Sequence, residues 1–226
     1  MIINSLPKRN NMDLEMISRQ DCTLNKEMAY LLGVYLTDAS ISECNFNLQV
    51  IDKDFAERVL EYWKTIVPTT KAYLRERTDV GSWNKQKRYV IKLGIGKYAE
   101  WFRTQTNSKH HLPISIWNQN DGVKRWFIAG IMDGDGWISK TQRKTNLDTY
   151  QYRIGIGGVE EGWIGEFRDL LTSFNVKCNK VERVFTSGNN WFCRFNVNPR
   201  SFFDAKLFFT LKRKTDRCAV ASETTR

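Results

Sequence analysis

Two hydrophobic patterns recur along this chain, and each appears in both halves. One is apolar almost all round: AYLLGVYL at residues 29–36 and WFIAGIM at 126–132. A helix without a polar stripe has to be covered on every side, so both stretches are expected in the interior. The other pattern has a period of two. Phe46, Leu48 and Val50 alternate with Asn45, Asn47 and Gln49, while Arg88 and Lys92 oppose Tyr89, Ile91, Leu93 and Ile95. Further on, Gln151 and Arg153 oppose Tyr152, Ile154 and Ile156, and Arg194 and Asn196 oppose Trp191, Cys193, Phe195 and Val197. Such alternation predicts antiparallel strands with one face under helices and one polar face in the open.

Aligned on the apolar helices, the halves read as two copies of one unit. LLGVYLTDAS at 31–40 matches IAGIMDGDGW at 128–137, with Gly33 over Gly130 and Asp38 over Asp135. After the first copy come a strand at 45–51, a helix opening IDKDFAERVLEYWKTI, strands at 69–77 and 87–95 around TDVGSWN, and a helix from Lys97. After the second come a strand at 137–141, a polar loop, a strand at 150–156 and a helix at 160–174. Strands at 176–185 and 191–197 around SGNN, then a final helical region, complete it. The expected fold class is α+β, with two pseudo-twofold-related αββαββα repeats. Residues 1–23 are read as an N-terminal arm, 24–110 as the first repeat, 111–122 as a linker and 123–226 as the second repeat. Pro113 and NQNDG mark the linker and cap the second apolar helix.

Composition narrows the classes. With 226 residues, 41% hydrophobic, 27% charged and only 4 Pro, the chain has the make-up of a folded protein rather than a disordered one. No apolar run is long enough to cross a bilayer. The opening MIINSLPKRNNMDLEMISRQ has neither an apolar secretory core nor a small-residue cleavage site. An intracellular protein without a membrane partner is expected. Its net charge of +10 is spread over both halves, which fits a polyanion lying along the whole molecule better than a basic tail. The polar strand faces are rich in Arg, Lys, Asn and Gln, the side chains that pair with guanine and adenine edges in the major groove. The five cysteines are an odd number without CxxC spacing and read as reduced thiols. His110 and His111 lack metal-ligand spacing and read as loop residues.

The chemistry concentrates where the apolar helices end. Small residues at Gly33, Ala129 and Gly130 let two helix backbones approach closely, which would bring Asp38 and Asp135 side by side. Adjacent carboxylates repel and are costly to ionise unless a cation lies between them. A hard divalent ion such as Mg²⁺ accepts carboxylate and carbonyl oxygens and keeps water. Bound there, it suits phosphodiester hydrolysis.

Both acid-bearing segments resemble the LAGLIDADG motif of homing endonucleases and intein endonuclease domains. IAGIMDGDG is a close match; LLGVYLTDA has Leu36 where the motif has its first acid and Ala39 in place of its final Gly. LPISIW, ahead of the second copy, resembles the lead-in of single-chain members, and the resemblance covers about residues 24–220. It implies the homing endonuclease fold, in which two saddle-shaped antiparallel sheets straddle double-stranded DNA and a two-helix motif interface sets the acids over the minor groove. It further implies a monomer that cuts both strands of a long target site with bound Mg²⁺ or Mn²⁺, leaving short 3′ overhangs.

The same resemblance assigns roles. Asp38 and Asp135 would be catalytic metal ligands, joined by the backbone carbonyls of Thr37 and Gly134. A basic residue in LKRK at 211–214 would polarise the attacking water or stabilise the transition state; Lys212 is the first choice and Lys214 the second. The first repeat has no LKRK, and FRTQTNSKHHLP offers only Arg103 and Lys109, so unequal active sites are expected. Base and backbone contacts would come from Ser42, Asn47, Gln49, Lys71, Arg75, Arg77, Arg88 and Lys92 in the first repeat. In the second they would come from Ser139, Thr141, Arg143, Gln151, Arg153, Arg194 and Asn196. Asp52 and Glu160, where the helix after the second strand begins, would order solvent. The resemblance leaves open an RNA maturase or a DNA-binding regulator without cleavage, and retention of both acids favours cleavage.

Overall fold

In the computed structural model the first element among the described residues is helix α1 (Lys26–Leu36), which starts where the Asn25 side chain accepts a hydrogen bond from the Met28 N–H (2.9 Å). That cap satisfies one first-turn amide that has no partner inside the helix. The structure describes residues 24–78, 86–143, 146–185 and 191–217, with 141, 143 and 146–151 as backbone only. The arm at 1–23, the turns at 79–85 and 186–190, and Cys22 and Cys218 lie outside the described residues.

Strands β1 (Ser40–Ser42) and β2 (Asn45–Val50), helix α2 (Lys53–Ile66), strands β3 (Leu74–Thr78) and β4 (Lys87–Gly94), and helix α3 (Tyr98–Thr106) follow α1. A short helix α4 (Ile114–Trp117) leads into α5 (Asp121–Gly134). Then come β5 (Trp137–Arg143), β6 (Asn146–Gly158), α6 (Glu161–Ser173), β7 (Glu182–Phe185), β8 (Trp191–Val197) and α7 (Pro199–Asp204). Helical backbone resumes at 212–217. The sheets are antiparallel with matching orders, β1-β2-β4-β3 and β5-β6-β8-β7. The architecture is the expected α+β pair of αββαββα units.

The apolar strand faces are covered as the alternation requires. Helix α2 buries Phe55, Val59 and Trp63, and the Trp63 ring meets Phe46 of β2 edge-on at 5.2 Å. Helix α6 buries Trp163, Ile164, Phe167 and Leu171, with Phe167 against Phe195 of β8. Boundaries depart from expectation where hydrogen bonding overrides side-chain pattern. Strand β6 begins at Asn146 and absorbs much of the polar loop. Strand β7 is confined to Glu182–Phe185, because its expected first half makes only one bridge, Cys178 to Val197.

The linker carries structure of its own. It contains α4, and α5 already begins at Asp121 under an Asn120 cap (3.1 Å to the Val123 N–H). Its histidine is tied down rather than loose: His111 Nδ1 lies 2.6 Å from Glu166 Oε1 on α6, and Glu166 Oε2 accepts the Leu112 N–H at 2.7 Å.

Helices α1 and α5 form the centre. Every residue from Met28 to Leu36 is buried, as are Phe127 to Asp133. Contact between the two backbones is direct. A methyl on Gly33 would lie 2.5 Å from the Phe127 carbonyl oxygen, and one on Gly130 would collide with the carbonyl of Tyr30. Real Cβ atoms do not tolerate such separations, so glycine at these two crossing points is a geometric requirement.

Candidate active site

The crossing brings both motif acids to one place. Thr37 ends α1 and Asp135 ends α5. A methyl on Gly134 would strike the Thr37 hydroxyl and lie 3.1 Å from Asp38 Oδ2, so the carboxylate of one motif sits beside the backbone of the other. Asp38 opens to solvent at the mouth of a cavity of about 250 Å³ lined by Gln49, Asp52, Arg88, Asp133, Gly134 and Arg213 as well. Asp135 is half-buried. Desolvation, then the charge of Asp38, pushes the Asp135 carboxyl up to about 7. Desolvation raises Asp38 too, although Lys214 and Lys109 oppose it and its open edge tempers the effect.

Two lysines hold the helix ends that carry these acids. Lys214 is buried, and its Nζ donates to the carbonyls of Met132 (2.8 Å), Asp133 (2.6 Å), Gly134 (3.2 Å) and Gly136 (2.6 Å). The first three are last-turn carbonyls at the negative end of α5, where a cation is favoured, and Gly136 follows the helix. Burial draws the Lys214 amine down to about 8. Lys109 does the same for α1, with Nζ 3.4 Å from the Thr37 carbonyl and 2.6 Å from that of Ala39. Thr37 and Ala39 align with Gly134 and Gly136, so Lys109 and Lys214 occupy equivalent places. Two corrections follow. Lys212 is not brought to the acids: it is exposed and pairs with Asp216 at 2.8 Å. Nor is the first repeat without a counterpart, and the expected inequality of the sites loses its ground.

The first acid of the second motif has a different task. Asp133 is buried and accepts hydrogen bonds from Tyr30 Oη (2.8 Å), the Thr210 N–H (3.0 Å) and the Thr210 hydroxyl. It pins the segment that delivers Lys214. Leu36, the equivalent residue in the first repeat, is buried among apolar neighbours instead.

The remaining expected residues divide by location. Asp52 lines the acid cavity and holds Arg213 of the other repeat through two 2.7 Å bonds. Glu160 does not line that cavity; its carboxylate lies 3.1 Å from His110 Nδ1. On the first sheet, Asn47 pairs with Lys92, Arg75 with Val90 and Arg77 with Arg88, which puts Asn47, Gln49, Arg75, Arg77, Arg88 and Lys92 on one open face. Ser42 accepts from Asn47 at 2.9 Å, and Lys71 is exposed just before β3. On the second sheet Ser139 pairs with Arg153, while Arg194 and Asn196 flank that row on β8. The side chains of Thr141, Arg143 and Gln151 lie outside the described residues.

Residues 122–195 match the family model described as LAGLIDADG-like domain. The same fold occurs in a structure described as the homing endonuclease I-WcaI bound to its DNA recognition sequence: 15% identity, TM-score 0.56, covering 94% of this chain and 95% of that one. Residues 122–195 therefore carry a LAGLIDADG-like domain, and the chain as a whole has the fold of these structures. Other structural neighbours are I-DmoI in complex with DNA and Ca (13%, TM-score 0.53, 88% and 97%) and the N-terminal LAGLIDADG domain of DUF199/WhiA (16%, TM-score 0.54, 95% and 98%). Among curated sequences, the ATP-dependent DNA helicase Hel308 of Thermococcus kodakarensis is 25% identical over 132 residues, 56% of this chain but only 11% of the helicase. Likeness at these identities extends to the fold and not to the reaction.

The donor set at the LAGLIDADG acids fits a hard divalent ion. No cluster of three or more His, Cys, Asp or Glu is found among the described residues. Two neighbouring carboxylates and the Thr37 and Gly134 carbonyls are present, a set that Mg²⁺ would complete with water and phosphate oxygens. Desolvation first, then the neighbouring Asp38 charge, lift the Asp135 carboxyl, and a cation bound between the acids would oppose both.

Proposed function

We propose that this protein is a site-specific endonuclease that hydrolyses both strands of double-stranded DNA. The carrying observation is the convergence of Asp38 and Asp135, from equivalent helix ends, beside two equivalent carbonyl-bound lysines. Asp38, Asp135 and the carbonyls of Thr37 and Gly134 would hold Mg²⁺ or Mn²⁺. When bound, such an ion generates a nucleophile from water and offsets charge on the phosphate. The chain's own part is to fix the two carboxylates: the glycine crossing sets their separation, and Lys109 and Lys214 hold the helix termini that carry them. Arg213, Arg88 and Gln49 line the same cavity and would receive the phosphate backbone. The open sheet faces, with their Arg, Lys and Asn, would read the major groove on either side. Repeats 24–110 and 123–226, joined by 111–122, would act together as a monomer.

The test is cleavage of a randomised plasmid library with Mg²⁺ supplied. The unaltered protein should enrich one family of cut sites. Asp38→Asn and Asp135→Asn should each abolish double-strand cutting while retaining binding in a gel shift. Mg²⁺-dependent cutting at full rate by either variant would refute the assignment. Tight, sequence-specific binding without cutting by the unaltered protein would favour a DNA-binding regulator.

A further inference from the structure

The open face of the second sheet carries two aromatic rings among its polar side chains. Trp137 pairs with Gly155 across β5 and β6, and Phe192 precedes Arg194 on β8 by one full alternation. Both therefore share the face of Ser139, Arg153, Arg194 and Asn196. The glycines beneath them explain how the rings lie. A methyl on Gly157 would sit 2.5 Å from Phe192 Cε1, and one on Gly155 would sit 2.5 Å from Trp137 Cε2. Gly155 and Gly157 are buried although they face away from the core, because the two rings cover them. Each ring is itself only half-buried, so apolar carbon is left to water on a surface otherwise built for polar partners.

We infer that Trp137 and Phe192 form an apolar subsite for the C5-methyl group of thymine, so that the second sheet selects DNA over RNA. The inference rests on the DNA-reading role proposed above. Thymine is the base whose major-groove edge carries a methyl beside an acceptor oxygen, and uracil presents that oxygen alone. Arg194 and Asn196 supply donors next to the rings; the rings supply a surface from which a methyl displaces water. Packing against glycine fixes ring orientation without an intervening side chain, which makes a small apolar contact specific rather than merely adhesive. Filling the notch above the glycines accounts for one side of each ring. The solvent-facing side is what a methyl would cover.

The experiment selects bound duplexes from a randomised library with the full chain, then measures affinity for the selected site. Selection should enrich thymine at one or two positions of one half-site. Replacing such a thymine by deoxyuridine should weaken binding about fourfold, the cost of returning one methyl to water. Phe192→Ala should bind the thymine and deoxyuridine duplexes equally while keeping the preferences of the other half-site. The comparison of the two duplexes uses the unaltered protein, so it stands even if Phe192→Ala fails to fold. Equal affinity for thymine and deoxyuridine, no thymine preference in selection, or tighter binding of an RNA duplex of the same sequence would overturn the subsite while leaving DNA recognition intact in the first two cases. Failure to enrich any duplex would overturn the subsite and the DNA reading together.

Discussion

Ionising Asp135 is costly where the fold places it. Its carboxyl is pushed up to about 7 from an ordinary 3.8, first by desolvation and then by Asp38. A carboxyl raised in the folded state favours folding while protonated, and that advantage disappears as pH climbs from about 4 to 7. In EDTA the melting temperature should fall between pH 5 and pH 8. Asp135→Asn should flatten that profile and raise the pH 8 value by roughly 3–6 °C, corresponding to about 1–2 kcal/mol after screening by water at the exposed edge. Parallel profiles for the two proteins would show that the acid pair is not strained. The lysines make a second residue-scale prediction. Lys109→Met and Lys214→Met should each slow cutting about a hundredfold, each on a different strand, as expected when one preorganised contact is lost. Lys212→Met should stay within about twofold, since its exposed pair with Asp216 adds little. Strand-resolved cleavage of end-labelled duplex, with melting temperatures alongside, separates these outcomes; equal slowing of both strands by Lys214→Met would refute the pairing of lysine with site. The acids were legible because the same helix end occurs twice. Lys109 was legible only as one of two basic candidates beside Arg103; KHHL shares no pattern with LKRK, and its equivalence to Lys214 emerges from which carbonyls each lysine holds.

At the scale of elements, apolar periodicity located helices and strands well because burial, their physical cause, is written in every second or every third and fourth residue. It located the crossing too: Gly33 and Gly130 were readable as points of close approach. It could not locate β1, which is three residues long, or the start of β7, ahead of which the chain makes only the isolated Cys178–Val197 bridge. The crossing yields a paired prediction. Gly130→Ala drives a methyl into the Tyr30 carbonyl and should destabilise the protein by about 2–4 kcal/mol or prevent folding. Gly165→Ala on α6 meets nothing within 4 Å and should stabilise it by about 0.5–1 kcal/mol. Denaturant titration of both tests the geometry, and a Gly130→Ala protein as stable as the parent would refute the close contact.

Over the whole molecule, the repeats are knitted by pairs that cross between them. Asp52 at the start of α2 holds Arg213 from the second repeat, and Glu160 before α6 meets His110 from the first. Each acid immediately precedes its helix, and each basic partner is adjacent to a site lysine. No periodicity in one repeat announces a contact made with the other, which is why these pairs escaped the sequence. They make a single chain complete around its acids. Light scattering of the protein bound to a selected duplex should therefore give one chain per site; two chains per site would refute the monomer.

The reach of one contact has a consequence in time. Tyr30 shares Asp133 with Thr210, a residue 180 positions further along the chain. At roughly 5–20 residues per second, a ribosome releases those two ends on the order of ten to forty seconds apart. Throughout that interval the nascent chain already displays the first carboxylate but lacks the segment that steadies the second. A protein proposed to cut DNA is thereby kept unassembled beside its own message until the segment that carries Thr210 and Lys214 has left the exit tunnel.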